Sequence, residues 1–337
     1  MRIVVGIDAG SSKTRTLVAE VEERAEVLRV IGAGVVRSRG IRRGVVVDAS
    51  EAAATVAESI RLAEESSGCA IERAYVGLSG AHVATVGSRG VVGISARTDT
   101  VSLPDAERAV EVAQVAATSQ GRSPLHVIPH RYVVDGHDVG FDPVGEQGAV
   151  LDVETHVVTG STEAIGGLVA AVEAAGVEVD DLVVSSLAAG GLLLTAAEYE
   201  AGAVVVDIGA GTTDIAIFDD RSIWHVASLG VGGEHITADV AAGLGVEVDV
   251  AEQVKIRHGH ARAGLVAPRE RFDLPSSNGG AAGTVHRWKL AEIIERRARA
   301  ILSMVGEEIE RSGRSRGLAG GVVLCGGTAL LSGLVDL

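Results

Sequence analysis

The chain is poor in aromatic residues, cysteine, proline and positive charge. Its 337 residues hold eight aromatics (two Trp, three Tyr, three Phe), two Cys and six Pro. So few rings leave no stacking platform for single-stranded nucleic acid. Its 45 Asp and Glu against 30 Lys and Arg give a formal charge of −15, which repels a phosphate backbone. Nucleic-acid binding is therefore not expected. Two cysteines, Cys69 and Cys325, do not make a disulfide framework, and Cys325 in the run Val-Val-Leu-Cys reads as a small core residue. The start, MRIVVGIDAG, runs straight into a strand without the pattern of a secretory leader. A cytoplasmic setting is expected. Leu182–Ala197 and Leu318–Val335 are uncharged over 16 and 18 residues, but the glycines within the second suit a strand and turn better than a membrane span.

What the chain has in plenty is glycine, 44 residues, beside Val, Ile, Leu and Ala for a core. Its length suggests at least two lobes. Short β runs are expected at 2–8, 14–21, 27–33 and 74–78, with an Ala-rich helix over 50–66 that closes before Gly68. The stretch 82–158 changes character, with Pro124, Pro129 and Pro143 and a helix opening at Ser102 and Asp105. It reads as a small α+β module. A helix is expected over 162–175, strands over 203–208 and 214–219, an exposed loop over 272–284, and a long helix over 289–312. On that last helix Glu292–Arg296, Glu295–Arg299 and Glu307–Arg311 stand in the favourable i,i+4 order.

Two segments repeat one pattern 199 residues apart: IVVGIDAGSSKTRTLVAE around Asp8 and AVVVDIGAGTTDIAIFDD around Asp207. Each reads as strand, Asp-x-Gly, small and hydroxyl residues, then a second strand. A P-loop or a Rossmann loop would instead open a helix, and neither pattern is met. Gly10, Gly209 and Gly211 let backbone N–H groups approach an anion, and Ser11, Ser12, Thr212 and Thr213 add hydroxyl donors. Asp8 and Asp207 would repel a phosphate but suit a hydrated Mg²⁺, which keeps most of its waters. Two facing hairpins would grip the phosphates of a nucleotide from both sides. The bland alternative is a pair of ordinary Asp- and Gly-capped turns, which the duplication disfavours.

At these residues the chain resembles the actin and heat-shock-chaperone ATPase superfamily and, within it, the FtsA family of actin-like bacterial cell-division proteins. The resemblance runs through DAGSSK from Asp8, YVGLSGAHV from Tyr75, HVIPHRYVVDG from His126 and DPVGEQGAVLDVETHVVTG from Asp142. It continues through DIGAGTTDIAIF from Asp207, GGEHIT from Gly232, AEQVKIRHG from Ala251 and GVVLCGG from Gly321. It implies an α/β fold of two actin-like lobes with a duplicated nucleotide-binding core: a first lobe over 1–81 and 159–201, an inserted family-specific subdomain over 82–158, and a second lobe from 202 to 337. ATP with Mg²⁺ would lie between the lobes. Asp8, Gly10, Ser11, Ser12 and Lys13 would form one phosphate loop. Asp207, Gly209, Gly211, Thr212 and Thr213 would form the other, with Asp207 near Mg²⁺ and the attacking water. Gly232 and Gly233 would approach phosphates and sugar, Glu252 and Lys255 would contact ribose and adenine, and Gly326, Gly327 and Thr328 would line the base. A solvated lysine at 13 and a surface helix pair at 252 and 255 are the plain alternatives. A metal reading of His82, His126 and His130 finds no supporting carboxylate or Cys spacing, and His235 reads as a helix-start residue.

The resemblance further implies self-association into filaments, the tubulin-like protein FtsZ and other division proteins as partners, and a peripheral place on the cytoplasmic face of the membrane at the division site. Hydrolysis would be slow at most. Family members continue into a linker and an amphipathic membrane helix, which this chain, ending at Leu337, does not include. Two alternatives stand beside this reading. One is a small-molecule kinase or phosphatase of the same superfamily, with Asp152 or Glu154 as base; the other is an actin-like assembly protein of another system, such as pilus biogenesis.

Overall fold

The computed structural model describes residues 2–22, 27–95, 99–220, 222–275, 281–314 and 317–337. In the first lobe, β1 (Arg2–Ala9), β2 (Lys13–Glu22) and β3 (Val27–Arg37) form an antiparallel meander. A two-residue-stranded hairpin, β4 (Ile41–Arg42) and β5 (Val45–Val46), then leads into α1 (Ala49–Ser67) and β6 (Arg73–Leu78), which pairs parallel to β1. The start of α1 is set by Asp48, whose carboxylate accepts from the N–H groups of Ser50 and Glu51 at 3.0 Å. Its end is set by Gly68 at φ 72°.

The middle of the chain supplies β7 (Ala84–Gly93), α2 (Leu103–Ala117), β8 (Arg122–Val134), β9 (His137–Gly140) and β10 (Val150–Ser161). Ser102 and Asp105 close a capping box at the start of α2. Then come α3 (Thr162–Ala174), β11 (Glu178–Val184) parallel to β6, α4 (Ser185–Leu193) and α5 (Ala196–Ala201). The second lobe repeats the first: β12 (Ala203–Ile208), β13 (Thr213–Asp219) and β14 (Ser222–Leu229) form the meander. After α6 (Gly233–Leu244), α7 (Val248–His258), β15 (Arg271–Pro275), β16 (Ala281–His286) and α8 (Arg287–Arg311), β17 (Gly321–Cys325) lies parallel to β12.

One sheet therefore runs β11-β6-β1-β2-β3. The other runs β17-β12-β13-β14-β7-β10-β8-β9, with the inserted strands joined to β14 at the single pairing Ala227↔Ala84. Thr85 strengthens that joint: its hydroxyl accepts from Val226 N at 2.7 Å and donates to Val226 O at 2.9 Å. A separate small core, including Ile94, Ala109, Tyr132 and Leu151, fills the space under α2.

The strands β12 and β13 are covered on both faces. Val205, Ala216 and Phe218 belong to the first-lobe core, while Val204, Val206, Ile215 and Ile217 pack against α6, α7 and α8. This explains their nearly unbroken apolar run, since only strands exposed on one face need alternation. Two expectations are corrected. Residues 272–275 and 281–284 are strand rather than loop, because Phe272 and Leu274 turn into the second core; 276–280 lie outside the described residues. On α8 only Glu295–Arg299 forms as read from spacing, at 2.7 Å. Arg311 turns instead to Glu308, whose buried carboxylate needs a partner more than exposed Glu307 does.

Candidate functional site

The repeat seen in sequence becomes a pair of equivalent hairpins at the junction of the lobes. In the first, Gly10 N donates to Lys13 O at 3.2 Å; in the second, Gly209 N donates to Thr212 O at 2.9 Å. These tight turns bring Asp8 and Asp207 to the ends of β1 and β12. The tips abut: a Cβ on Gly211 would lie 2.5 Å from Ser11 Oγ, so only glycine permits this approach.

The hairpin register fixes what stands opposite each aspartate. Asp8 faces Arg15, which donates to it at 2.8 Å; Asp207 faces Asp214, a second carboxylate. Arg15 and Asp214 are the functional neighbours that sequence reading missed. The repeat did contain them, since each stands seven residues after its aspartate and β pairing makes that residue the cross-strand partner.

The electrostatics follow from this crowding. Burial raises the pKa of Asp8, partly offset by Arg15, although its side chain keeps 47% exposure. Burial and the negative charge of Asp8 raise Asp207. Burial pushes Asp214 up to about 6 against the hydrogen bond it receives from Thr212 at 2.9 Å. Cys325, paired with Asp207 in register, has its thiol pushed up to about 12 by burial and these carboxylates, so it is an inert neighbour. Gly326, at φ 86°, lets the Asp207 carboxylate lie beside β17; a Cβ there would overlap it.

The remaining second-lobe residues gather on one carbonyl. Gly209 O accepts from Gly233 N at 2.9 Å and from Thr328 Oγ1 at 3.0 Å. Lys255 Nζ reaches Gly233 O at 3.1 Å, Thr237 Oγ1 at 2.8 Å and Glu252 at 2.6 Å, and Thr237 also bonds Glu252. Glu252 and Lys255 are thus tied to the glycine turn rather than forming an isolated surface pair. Thr213 instead points away, donating to Val231 O at 2.8 Å from a buried position. Ser12 and Lys13 are exposed, and Gly232 is held against the Gly209 and Ala210 carbonyls. Gly327 is exposed at the start of a short turn. His235 takes the helix-start role, its Nδ1 accepting from Gly232 N at 3.2 Å. His82 and His126 accept backbone N–H groups of Ser161 and Val184. Among the described residues no three His, Cys, Asp or Glu side chains stand close enough to ligate a metal ion by themselves.

Two duplicated half-sheets carrying matched Asp-x-Gly hairpins at their junction define an actin-like two-lobed fold. Among solved structures the chain is similar to the PilM–PilN type IV pilus biogenesis complex (TM-score 0.65, 18% identity, 99% of this chain and 84% of that one). It is also similar to MreB5 of Spiroplasma citri bound to ADP (TM-score 0.50, 16% identity, 99% and 87%). The family model for "Cell division protein FtsA" matches residues 204–337, and that for "SHS2 domain inserted in FTSA" matches 80–159. A cell division protein FtsA of Pseudomonas aeruginosa is 36% identical over 336 residues, covering 100% of this chain and 80% of its own length. The chain belongs to the FtsA family of cell-division proteins.

Proposed function

We propose that the chain binds Mg²⁺–ATP between its lobes and acts as a nucleotide-dependent scaffold that assembles head to tail in cell division. The observation that carries this reading is the convergence of Asp8, Asp207 and Asp214 at two glycine turns, with Arg15 as the cation bonded among them. Carboxylates that raise one another's pKa favour a divalent cation, and Mg²⁺ is commonly held through its waters by one or two of them. Bound there, the ion would neutralise charge on the terminal phosphates. Asp8 and Asp207 would hold its waters, and Asp207 would orient an attacking water. The backbone of Gly10, Ser11, Ser12, Gly209, Gly211 and Thr212 would face the phosphates, with Lys13 at the rim. Gly232, Gly233, Glu252, Lys255, Gly326, Gly327 and Thr328 would frame sugar and base. MreB5 of Spiroplasma citri, similar in fold, is named as bound to ADP, which supports a nucleotide as the ligand.

The two carboxylates weighed as a base for small-molecule chemistry are engaged elsewhere. Asp152 is tied up by Arg89, whose Nε lies 2.8 Å from Oδ1, and Glu154 lies 3.6 Å from His130 Nε2 in the inserted strands. A small-molecule kinase is therefore the weaker reading. Membership in the cell-division family supports FtsZ and other division proteins as partners, the latter through the insertion of about residues 82–158, and a place on the cytoplasmic face of the membrane. A head-to-tail contact whose rotation does not close into a ring yields an open filament.

Asp207→Ala tests the site. Mg²⁺-dependent ATP binding, followed by calorimetry, is expected to fall at least about a hundredfold, the loss of a charge-assisted contact in a desolvated site, while the far-ultraviolet circular dichroism stays as in the parent. Unchanged ATP affinity in a folded variant overturns the assignment. Filaments seen by electron microscopy with ATP, and FtsZ retained on the immobilised chain, test the scaffold reading.

A further inference from the structure

The turn between β4 and β5 sits where every loop of the cleft meets. Arg43 and Gly44 occupy it with φ of 50° and 75°, the pair of positive values that a tight two-residue hairpin demands. Gly44 N donates to Ser11 Oγ at 3.1 Å, and a Cβ on Gly44 would overlap the Ser79 carbonyl. A Cβ on Gly211 would come within 3.0 Å of Arg43 Cα, and one on Gly80 within 3.3 Å of Arg43 O. The turn thus touches both phosphate hairpins and the loop that follows β6.

Arg43 is an unusual occupant. Of the four non-glycine residues at positive φ among those described, the other three are Asp99, Asp135 and Asp220, a type that tolerates this region well. Arginine gains nothing local in exchange. Its guanidinium has no hydrogen bond or ion pair among the described residues, and it is exposed toward a cleft of about 550 Å³ that Ser11, Arg42, Glu234 and His235 also line. Arg15, by contrast, is committed to Asp8. A residue held in a costly backbone conformation, with its charge unused and aimed into the interlobe cleft, indicates a ligand-dependent role.

Resting on the Mg²⁺–ATP reading above, we propose that Arg43 senses the terminal phosphate of the bound nucleotide. In the ATP state its guanidinium donates to the γ-phosphate. The rigid turn then carries that contact to Ser11 and Gly211, so that the two hairpin tips respond to the difference between ATP and ADP. A phosphoanion is the chemistry an arginine fork binds best, and in a chain of charge −15 an uncommitted arginine lining this cleft is the natural counter-charge.

The test measures Kd for Mg²⁺–ATP and Mg²⁺–ADP on the full chain by calorimetry, for the parent, Arg43→Gly, Arg43→Asn and Arg43→Lys. Glycine and asparagine accept the positive φ, so neither should lower the melting temperature. In both, ATP affinity is expected to fall about tenfold or more with ADP affinity within twofold, so the ratio of ADP to ATP Kd drops by the same factor. Lysine is expected to recover part of it. A ratio equal to that of the parent in folded Arg43→Gly and Arg43→Asn overturns the role of Arg43 while leaving nucleotide binding intact. A parent chain that binds neither ATP nor ADP overturns both readings.

Discussion

Single carboxylates carry the tension in this site, and Asp214 most of all. It is 5% exposed, with its pKa pushed up to about 6 from an ordinary value of 3.8. The folded chain therefore holds this proton more tightly than the unfolded chain. Stability from that difference is whole below about pH 4 and is lost as pH rises through 6. Without added divalent ion, Asp214→Asn is expected to be more stable than the parent at pH 7, by up to roughly 2–3 kcal/mol, and equal to it at pH 4. Urea unfolding at both pH values checks this. Equal midpoints at pH 7 would mean that the donor Thr212 already compensates the charge. Asp8 and Asp207 were legible in the sequence because Asp-x-Gly repeats. Asp214 was not, because its role depends on a strand register that turns it toward Asp207.

Elements meet through glycine as much as through large side chains. On β3, Gly34 lies so close to α1 that a Cβ would overlap the Ser59 carbonyl; Gly90 on β7 stands in the same relation to Ala109 of α2. Each of these helices rests on a bare patch of sheet. Gly34→Val is expected to cost more than about 3 kcal/mol or to prevent folding, because backbone must move to admit the side chain. Gly6→Val, at an exposed position of β1 with nothing within 4 Å of its Cβ, is expected to stay within about 1 kcal/mol. Denaturant titration of the two variants side by side separates the close approach from strand propensity; an equal effect of both would reject it. The existence of α1, α2, α3 and α8 was readable from periodicity and caps, within one or two residues at most ends. The hairpin β15–β16 was not, since Pro, Ser, Asn and Gly composition outweighed two apolar residues, Phe272 and Leu274, whose burial only the second core decides.

Across the whole molecule, the joint between the inserted strands and the second lobe is a cluster of rings. His130 and His156 stack at 4.6 Å, both set edge-on to Trp224, over which Arg314 lies at 4.3 Å. His225 meets Glu308 at 2.9 Å on the same side. Burial, with His130 and His225 nearby, lowers His156 to about 4. Below the ordinary histidine value of 6.5 the unfolded chain takes up a proton that the folded chain refuses, so stability falls as pH drops from 6.5 toward 4. The loss attributable to His156 is expected to reach on the order of 2–3 kcal/mol. His156→Phe, which keeps the stack without the charge, is expected to flatten the pH dependence of the melting temperature over that range. A slope unchanged from the parent would assign the acid sensitivity elsewhere, with His130 the next candidate because burial lowers it too.

By itself the sequence determined the two-lobed α/β class, the duplicated hairpins and their glycines, and the cell-division family. All of these are local patterns: an apolar run, a turn that needs a missing side chain, a motif repeated at a fixed offset. Tertiary structure alone decided that Lys255 and Thr328 close on the Gly233 turn and the Gly209 carbonyl, that Asp207 feels the charges of Asp8 and Arg15, and that Arg43 stands between both Asp-x-Gly hairpins. These pairs lie far apart in the chain. Electrostatic coupling and steric contact depend on distance in space, which no local pattern of residues encodes.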